Sequence, residues 1–155
     1  MSLFTIISIV AAIIIIALAS YATHLLLLLR KQQQQKQQEI AAQNTKHLKS
    51  IKIIVEAMIQ EQCEISEGCW RLSVLMGNLQ IPDYSFEQEF PAIFRLYNLI
   101  KHMPIMEARK ALEKKERMKL DFERMKHEAE LQDEVKANVA ALQLKTQELL
   151  DSVPS

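Results

Sequence analysis

The sequence predicts an all-α protein: an N-terminal transmembrane helix, a Gln-rich linker, and a small antiparallel helical bundle with a long charged C-terminal helix. Three observations predict it. Two Gly and four Pro in 155 residues amount to about 4%, against roughly 12% in globular chains, so turn-rich sheet architectures are starved of turn residues. The first 29 residues hold 23 apolar side chains. Beyond them, apolar residues recur at steps of three and four, the period of one helical face. The implied organisation is a transmembrane anchor over residues 1–29, a polar juxtamembrane linker over 30–47, a helical bundle over 48–130, and a C-terminal helix extension and tail over 131–155.

The anchor follows from solvent physics. Residues 3–29 contain no Asp, Glu, Lys or Arg, and 27 residues of helix reach about 40 Å, more than the ~30 Å hydrocarbon core requires. The Ile-rich stretch favours strand in water, but in lipid every backbone N–H and C=O must be paired within the segment, which enforces helix. Residues 30–49 carry Arg30, Lys31, Lys36, Lys46 and Lys49 against the single acid Glu39. Basic flanks stay in the cytoplasm, so the N-terminus is expected outside and the body inside. A competing reading is a cleaved signal peptide, because Ala17-Leu18-Ala19 has the small-x-small form; against it, a charged n-region is missing and the apolar run continues to Leu29. Tyr21 and His24 read as interface residues, and Ser8 with Ala12 as a weak small-xxx-small pair.

The polar stretch over residues 32–38 is Gln at every position except Lys36 and has no apolar stripe, so it reads as a solvated spacer. A strong stripe then begins: Leu48, Ile51, Val55, Met58, Ile65, Cys69, Leu72, Met76 and Leu79, with Ile54 and Ile59 widening it to a bundle-facing surface. A break or kink is expected near residues 64–68, where Ser66 and Gly68 weaken an interior helix and Ser66 has the chemistry of a cap. Gly77-Asn78 and Pro82-Asp83 supply a stop and a turn. Five of the nine aromatics follow within 14 residues: Tyr84, Phe86, Phe90, Phe94 and Tyr97. Ser85 and Gln88 have capping-box spacing, and Pro91 marks a helix start or kink. This aromatic stripe reads as core.

From residue 105 to 150 there is neither Gly nor Pro, which predicts one rod of about 69 Å. Met118, Phe122, Met125 and Ala129 form one stripe; Leu131, Val135, Val139, Leu142 and Leu149 form another, displaced by one position. The expectation is that the first half packs on the domain and the second turns its apolar face elsewhere. Leu131, Val135, Val139 and Leu142 are therefore the candidate surface for a partner or for self-association. Residues 107–119 carry a net charge of +3 and residues 120–134 a net charge of −4, which suits either a solvated face or antiparallel self-pairing. Glu113 with Arg117, Arg124 with Glu128, and Lys126 with Glu130 have i,i+4 spacing.

Chemistry-bearing patterns are sparse. Cys63 and Cys69 on a continuous helix would lie about 10 Å apart, beyond disulfide reach, and read as small packing residues. His47 and His102 lack partners at a metal spacing, no phosphate loop or nucleophile-elbow motif occurs, and His127 with carboxylates such as Glu128, Glu130, Asp133 and Glu134 lies on a polar helix. No catalytic, cofactor-binding or metal-ligating residue is nominated, and no cofactor is expected. Zero formal net charge, without a dense basic patch interleaved with aromatics, argues against nucleic acid.

One stretch carries a resemblance. Glu61-Gln62-Cys63-Glu64-Ile65-Ser66-Glu67-Gly68-Cys69-Trp70-Arg71-Leu72, preceded by an N-terminal anchor and a Gln-rich spacer, resembles the bacterial family known as domain of unknown function 2489. The resemblance extends through Phe90-Pro91 and the charged run from Arg109-Lys110 to Lys119. It implies a bacterial inner-membrane protein and brings no activity with it. Read physically, the same stretch is a helix junction with Gly68 permitting close approach and Glu67 with Arg71 as a candidate surface pair.

The expectation that closes the reading is a single-pass membrane protein whose cytoplasmic part holds a protein partner, or another copy of itself, near the lipid bilayer. An exported helical protein after cleavage at Ala19, and an enzyme with a pocket between helices, stand as alternatives.

Overall fold

The computed structural model describes residues 3–104 and 106–152. Among the described residues all regular structure is helical: α1 (Leu3–Ile59), α2 (Ile65–Gly77), α3 (Phe86–Glu89), α4 (Pro91–Ile100), α5 (Met106–Lys110) and α6 (Lys114–Asp151). The chain divides into two compact units, Met1–Ala41 and Ala42–Ser155.

The first unit is helix throughout its described length, and its described side chains up to Glu39 are exposed. α1 is long and apolar enough to cross a membrane near the N-terminus, a property shared by membrane spans and signal sequences. Two hydroxyls in the apolar stretch are satisfied locally: Ser8 Oγ donates to the Phe4 carbonyl at 3.0 Å, and Thr23 Oγ1 donates to the Ala19 carbonyl. Each thus avoids presenting an unpaired donor to the surroundings.

The second unit is an antiparallel bundle, and its register can be read from polar contacts. Asn44 Nδ2 donates to the Gln80 carbonyl (2.9 Å), and the Gln80 N–H donates back to Asn44 Oδ1 (3.0 Å). At the other end, Met58 meets Gly68, so the last turns of α1 and helix α2 run in opposite directions. Lys52 Nζ donates to Gln147 Oε1 (3.0 Å) and Lys136 lies 3.7 Å from Glu61, which sets α6 antiparallel to α1. The Ala92 N–H donates to Asn138 Oδ1 (2.9 Å) and Arg95 lies 3.6 Å from Glu134, which sets α4 antiparallel to α6. Alternating directions with short connections are the up-and-down solution for burying one apolar stripe per helix.

The core collects those stripes. Ile51 and Val55 from α1, Cys69, Leu72 and Met76 from α2, Phe90 between α3 and α4, Ile93 and Leu96 from α4, and Leu131, Val135, Val139 and Leu142 from α6 are all buried. Full burial of a Leu, Ile or Phe side chain stabilises by about 1.5–3 kcal/mol. Phe86 and Phe90 stack at 6.2 Å, Tyr84 meets Phe86 edge-on at 4.6 Å, and Trp70 meets Tyr97 edge-on at 5.3 Å. Of the aromatic stripe, Phe86 and Phe90 are buried in the core, Tyr84 and Phe94 pack half-buried against it, and Tyr97 is half-buried beside Trp70; the buried face of α4 is Ala92, Ile93, Leu96 and Ile100. Pro91 begins α4, where its missing N–H is not needed. Ser85 does precede α3, but its side chain makes no cap bond.

Four expectations are corrected. The break after α1 lies at residues 60–64, ahead of Ser66 and Gly68. The Gln62 N–H donates to the Ala57 carbonyl and the Glu61 N–H to the Met58 carbonyl, with Glu61 at φ 56°. This is the Schellman closure, here with Glu in the left-handed position that Gly usually takes. Ser66 is not a cap: Glu64 precedes α2, and Ser66 sits inside the first turn, buried. The rod over residues 105–150 is interrupted after Lys110, and α6 starts only at Lys114. Most consequentially, the halves of α6 exchange roles. Leu131, Val135, Val139 and Leu142 are 0–3% exposed, whereas Met118, Phe122 and Met125 are 62–70% exposed. The bundle consequently runs past residue 130 to at least Leu149, and the expected extension is part of the core.

Candidate functional site

A groove of about 550 Å³ opens on the second unit beside the N-terminal end of α2. The family-like stretch supplies one wall with Glu64, Ser66, Glu67, Trp70 and Arg71; the opposite wall comes from Ile100, Met103 and Pro104 at the end of α4, with Arg109 and Arg124 closing it. The break at residues 60–64 is what starts α2 here, and Pro104 keeps the chain from continuing as helix past α4.

Four ionic groups of the groove are held in pairs, Glu67 with Arg71, and Arg109 and Arg124 with the neighbouring Asp121. Arg71 Nη2 lies 2.6 Å from Glu67 Oε1, with both side chains roughly half exposed. Arg109 grips Asp121 with two parallel bonds, Nε to Oδ1 at 3.2 Å and Nη2 to Oδ2 at 2.6 Å, while Arg124 Nη2 donates to Oδ1 at 3.0 Å. A forked guanidinium matched to a carboxylate is the strongest geometry available to such a pair. The Arg109 hydrogen bond, followed by the charges of Arg109, Arg124 and Arg117, holds the Asp121 carboxyl below its ordinary value against the opposing effect of partial desolvation. The same bond raises the Arg109 guanidinium.

Under the groove wall, the Ser66 N–H donates to Glu128 Oε1 at 3.3 Å, so α6 satisfies one of the unpaired donors of the first turn of α2. Ser66 Oγ is buried and has no hydrogen-bond partner. Burial, with Cys63 and Glu128 adding to it, pushes the Cys69 thiol up to about 12. Burial, with Glu67 adding to it and Arg71 opposing, raises Cys63 as well. Both are free thiols, and with raised values they are protonated at neutral pH, the unreactive form. Among the described residues no three His, Cys, Asp or Glu side chains are grouped to hold a metal ion.

The residues singled out by sequence divide cleanly. Glu67 and Arg71 do form the surface pair and line the groove. Leu131, Val135, Val139 and Leu142 lie in the intramolecular core, so the premise of an uncovered stripe there is overturned. Of the i,i+4 pairs on α6, Lys126 approaches Glu130 at 3.9 Å. Arg124 turns instead to Asp121, and Glu128 turns to Ser66. The cluster of Arg109, Asp121 and Arg124 is not visible in sequence, because Arg109 and Asp121 are 12 residues apart across the break between α5 and α6 and follow no local spacing rule.

A family model described as "Protein of unknown function (DUF2489)" matches residues 15–142. The chain belongs to this family. The DUF2489 match takes in the second half of the apolar stretch, the whole groove and the core-facing stripe of α6 as far as Leu142. An uncharacterized protein of Haemophilus influenzae (strain ATCC 51907 / DSM 11121 / KW20 / Rd) is 37% identical over 94 residues, which is 61% of this chain. The matched part spans 62% of that relative's length. No solved structure matches the chain.

Proposed function

We propose that this DUF2489 protein is a single-pass bacterial inner-membrane protein whose helical body, on the cytoplasmic side, serves as an interaction and scaffold module. The observation that carries the reading is the charge-free stretch ending at Leu29, whose described Ile and Leu side chains are exposed along α1. In water each would forgo about 1.5–3 kcal/mol of burial, whereas a bilayer accepts all of them. The flank supports the orientation: Arg30, Lys31, Lys36, Lys46 and Lys49 face only Glu39 across residues 30–49. The body supports the interaction role, since its interior is apolar and Glu67, Arg71, Arg109, Asp121 and Arg124 are paired at a solvated rim.

The test uses the full-length chain in a bacterial host. It should resist alkaline carbonate extraction and yield to detergent, and a C-terminal fusion to a reporter that works only in an oxidising compartment should stay inactive. Release without detergent, or an active reporter, would reject the membrane reading or its orientation. For the interaction role, a photo-crosslinking residue in place of Arg71 should give a discrete protein adduct in native membranes. An adduct pattern no different from that of the same probe at exposed Glu87 would reject it.

A further inference from the structure

The groove beside α2 combines two kinds of surface. Trp70, Ile100, Met103 and Pro104 give it an apolar lining, and Arg109 and Arg124 add guanidiniums to it. Its volume of about 550 Å³ lies within the range of ligand sites. One carboxylate serves both arginines: Asp121 accepts from Nε and Nη2 of Arg109 and from Nη2 of Arg124. A guanidinium has five N–H donors, so among the described residues Arg109 keeps three, and Arg124 four, without an acceptor. Asp121 occupies the Nε–Nη2 edge of Arg109, and the fork of the next edge, Nη1 with the outer N–H of Nη2, matches a second carboxylate. Charge leaves room for one. Glu67 is matched by Arg71, and the two acids Glu64 and Asp121 stand against the three cations Arg109, Arg117 and Arg124. The Glu128 carboxylate is given to the Ser66 N–H.

We propose that the groove receives the C-terminus of a partner polypeptide that ends in an apolar residue: the last side chain lies against Trp70, Ile100, Met103 and Pro104, and Arg109 and Arg124 take the terminal carboxylate. The proposal rests on the interaction reading above and names the chemistry of its partner. A chain terminus fits better than an Asp or Glu side chain, because it carries a carboxylate and an apolar side chain on one Cα, and the groove brings the same two kinds of surface together. Asp121 prepares the site, since a guanidinium already held along one edge loses less rotamer freedom when its free edge binds.

Trp70 is the one tryptophan of the chain and lines the groove, so its emission reads occupancy directly. The detergent-solubilised full-length chain is titrated with the peptide acetyl-Gly-Ser-Ala-Leu bearing a free C-terminal carboxylate, with the same peptide amidated, and with hexanoate. The expected result is a saturable blue shift with the acid peptide and at least about ten-fold weaker binding of the amide. Arg109→Gln and Arg124→Gln should each weaken the acid peptide by about ten-fold and leave the amide unchanged. The comparison of acid with amide needs no substitution, so it decides even where a variant unfolds. Equal affinity of acid and amide, or an emission that no peptide changes, overturns the proposal; a discrete adduct from the probe at Arg71 would then leave the interaction role standing, and its absence would remove both. Hexanoate binding as tightly as the acid peptide assigns the groove to small apolar acids and overturns the polypeptide terminus.

Discussion

Gly68 in α2 faces the side chain of Met58 in α1 so closely that a Cβ at Gly68 would collide with it, approaching Met58 Cγ to 2.7 Å. The glycine is therefore where two helices approach, at a point just after the break that separates them. Gly68→Ala gains up to about 1 kcal/mol of helix propensity, while the atoms in its way are the outer end of the flexible, half-buried Met58 side chain, which must swing aside. The two effects oppose each other, and the net expectation is a change of less than about 1 kcal/mol. In a Met58→Ala background the obstruction is gone, and the same substitution should be more favourable than in the natural chain. Urea midpoints of the four proteins decide it: equal effects of Gly68→Ala in both backgrounds would reject the contact.

The neighbouring break suggests a gain. Glu61 holds φ 56° in the Schellman closure of α1, a region that costs an L-residue with a side chain about 1–2 kcal/mol and glycine almost nothing. Its ion pair with Lys136 is 3.7 Å long between exposed groups and contributes little. Glu61→Gly should thus stabilise the protein by about 1 kcal/mol, read as a raised urea midpoint. A lowered midpoint would show that the ion pair outweighs the backbone strain.

Asp121 sets a pH dependence whose sign follows from its partners. Its carboxyl is held below the ordinary value in the folded protein, first by the Arg109 hydrogen bond. A depressed folded value means that the stabilisation is fully present above the unfolded value of about 3.9 and is lost as pH falls through the folded value. Asp121→Asn should accordingly be less stable than the natural chain at about pH 6, with the gap closing below about pH 4. Denaturation curves at a series of pH values measure it, and a gap that persists undiminished in acid would exclude the linkage.

Much of the fold could be read from spacing alone because burial and period are tied together. The stripe from Leu48 to Met76 is the buried face of α1 and α2, Pro91 starts a helix, and Gly68 marks a close approach. What spacing does not encode is which of two equally periodic stripes on one helix finds a partner. With 38 residues α6 is about 57 Å long, while the 10 residues of α4 cover about 15 Å. Only part of α6 can be covered, and the contacts of Ala92 with Asn138 and Arg95 with Glu134 put that part in its second half. The break at Glu61 is equally invisible, since its signature residue would have been a glycine. Of the groove, the Glu67 and Arg71 pair is legible as an i,i+4 spacing, whereas Arg109, Asp121 and Arg124 meet only through the tertiary fold.

The exchange of roles along α6 reverses what a charge on either stripe should do. Were residues 131–142 a free surface, Lys at Val135 would leave folding intact and disturb only association. In the structure Val135 is 1% exposed among core side chains, where an ammonium must either be buried unpaired or force the bundle open. Val135→Lys should therefore destabilise the second unit by more than about 3 kcal/mol. Phe122→Lys, at a position 70% exposed, should shift stability by no more than about 0.5 kcal/mol. Far-UV circular dichroism with urea denaturation of the detergent-solubilised chain distinguishes the two. A Val135→Lys protein with an unchanged midpoint would return that stripe to the surface, and with it the association role that its burial now excludes.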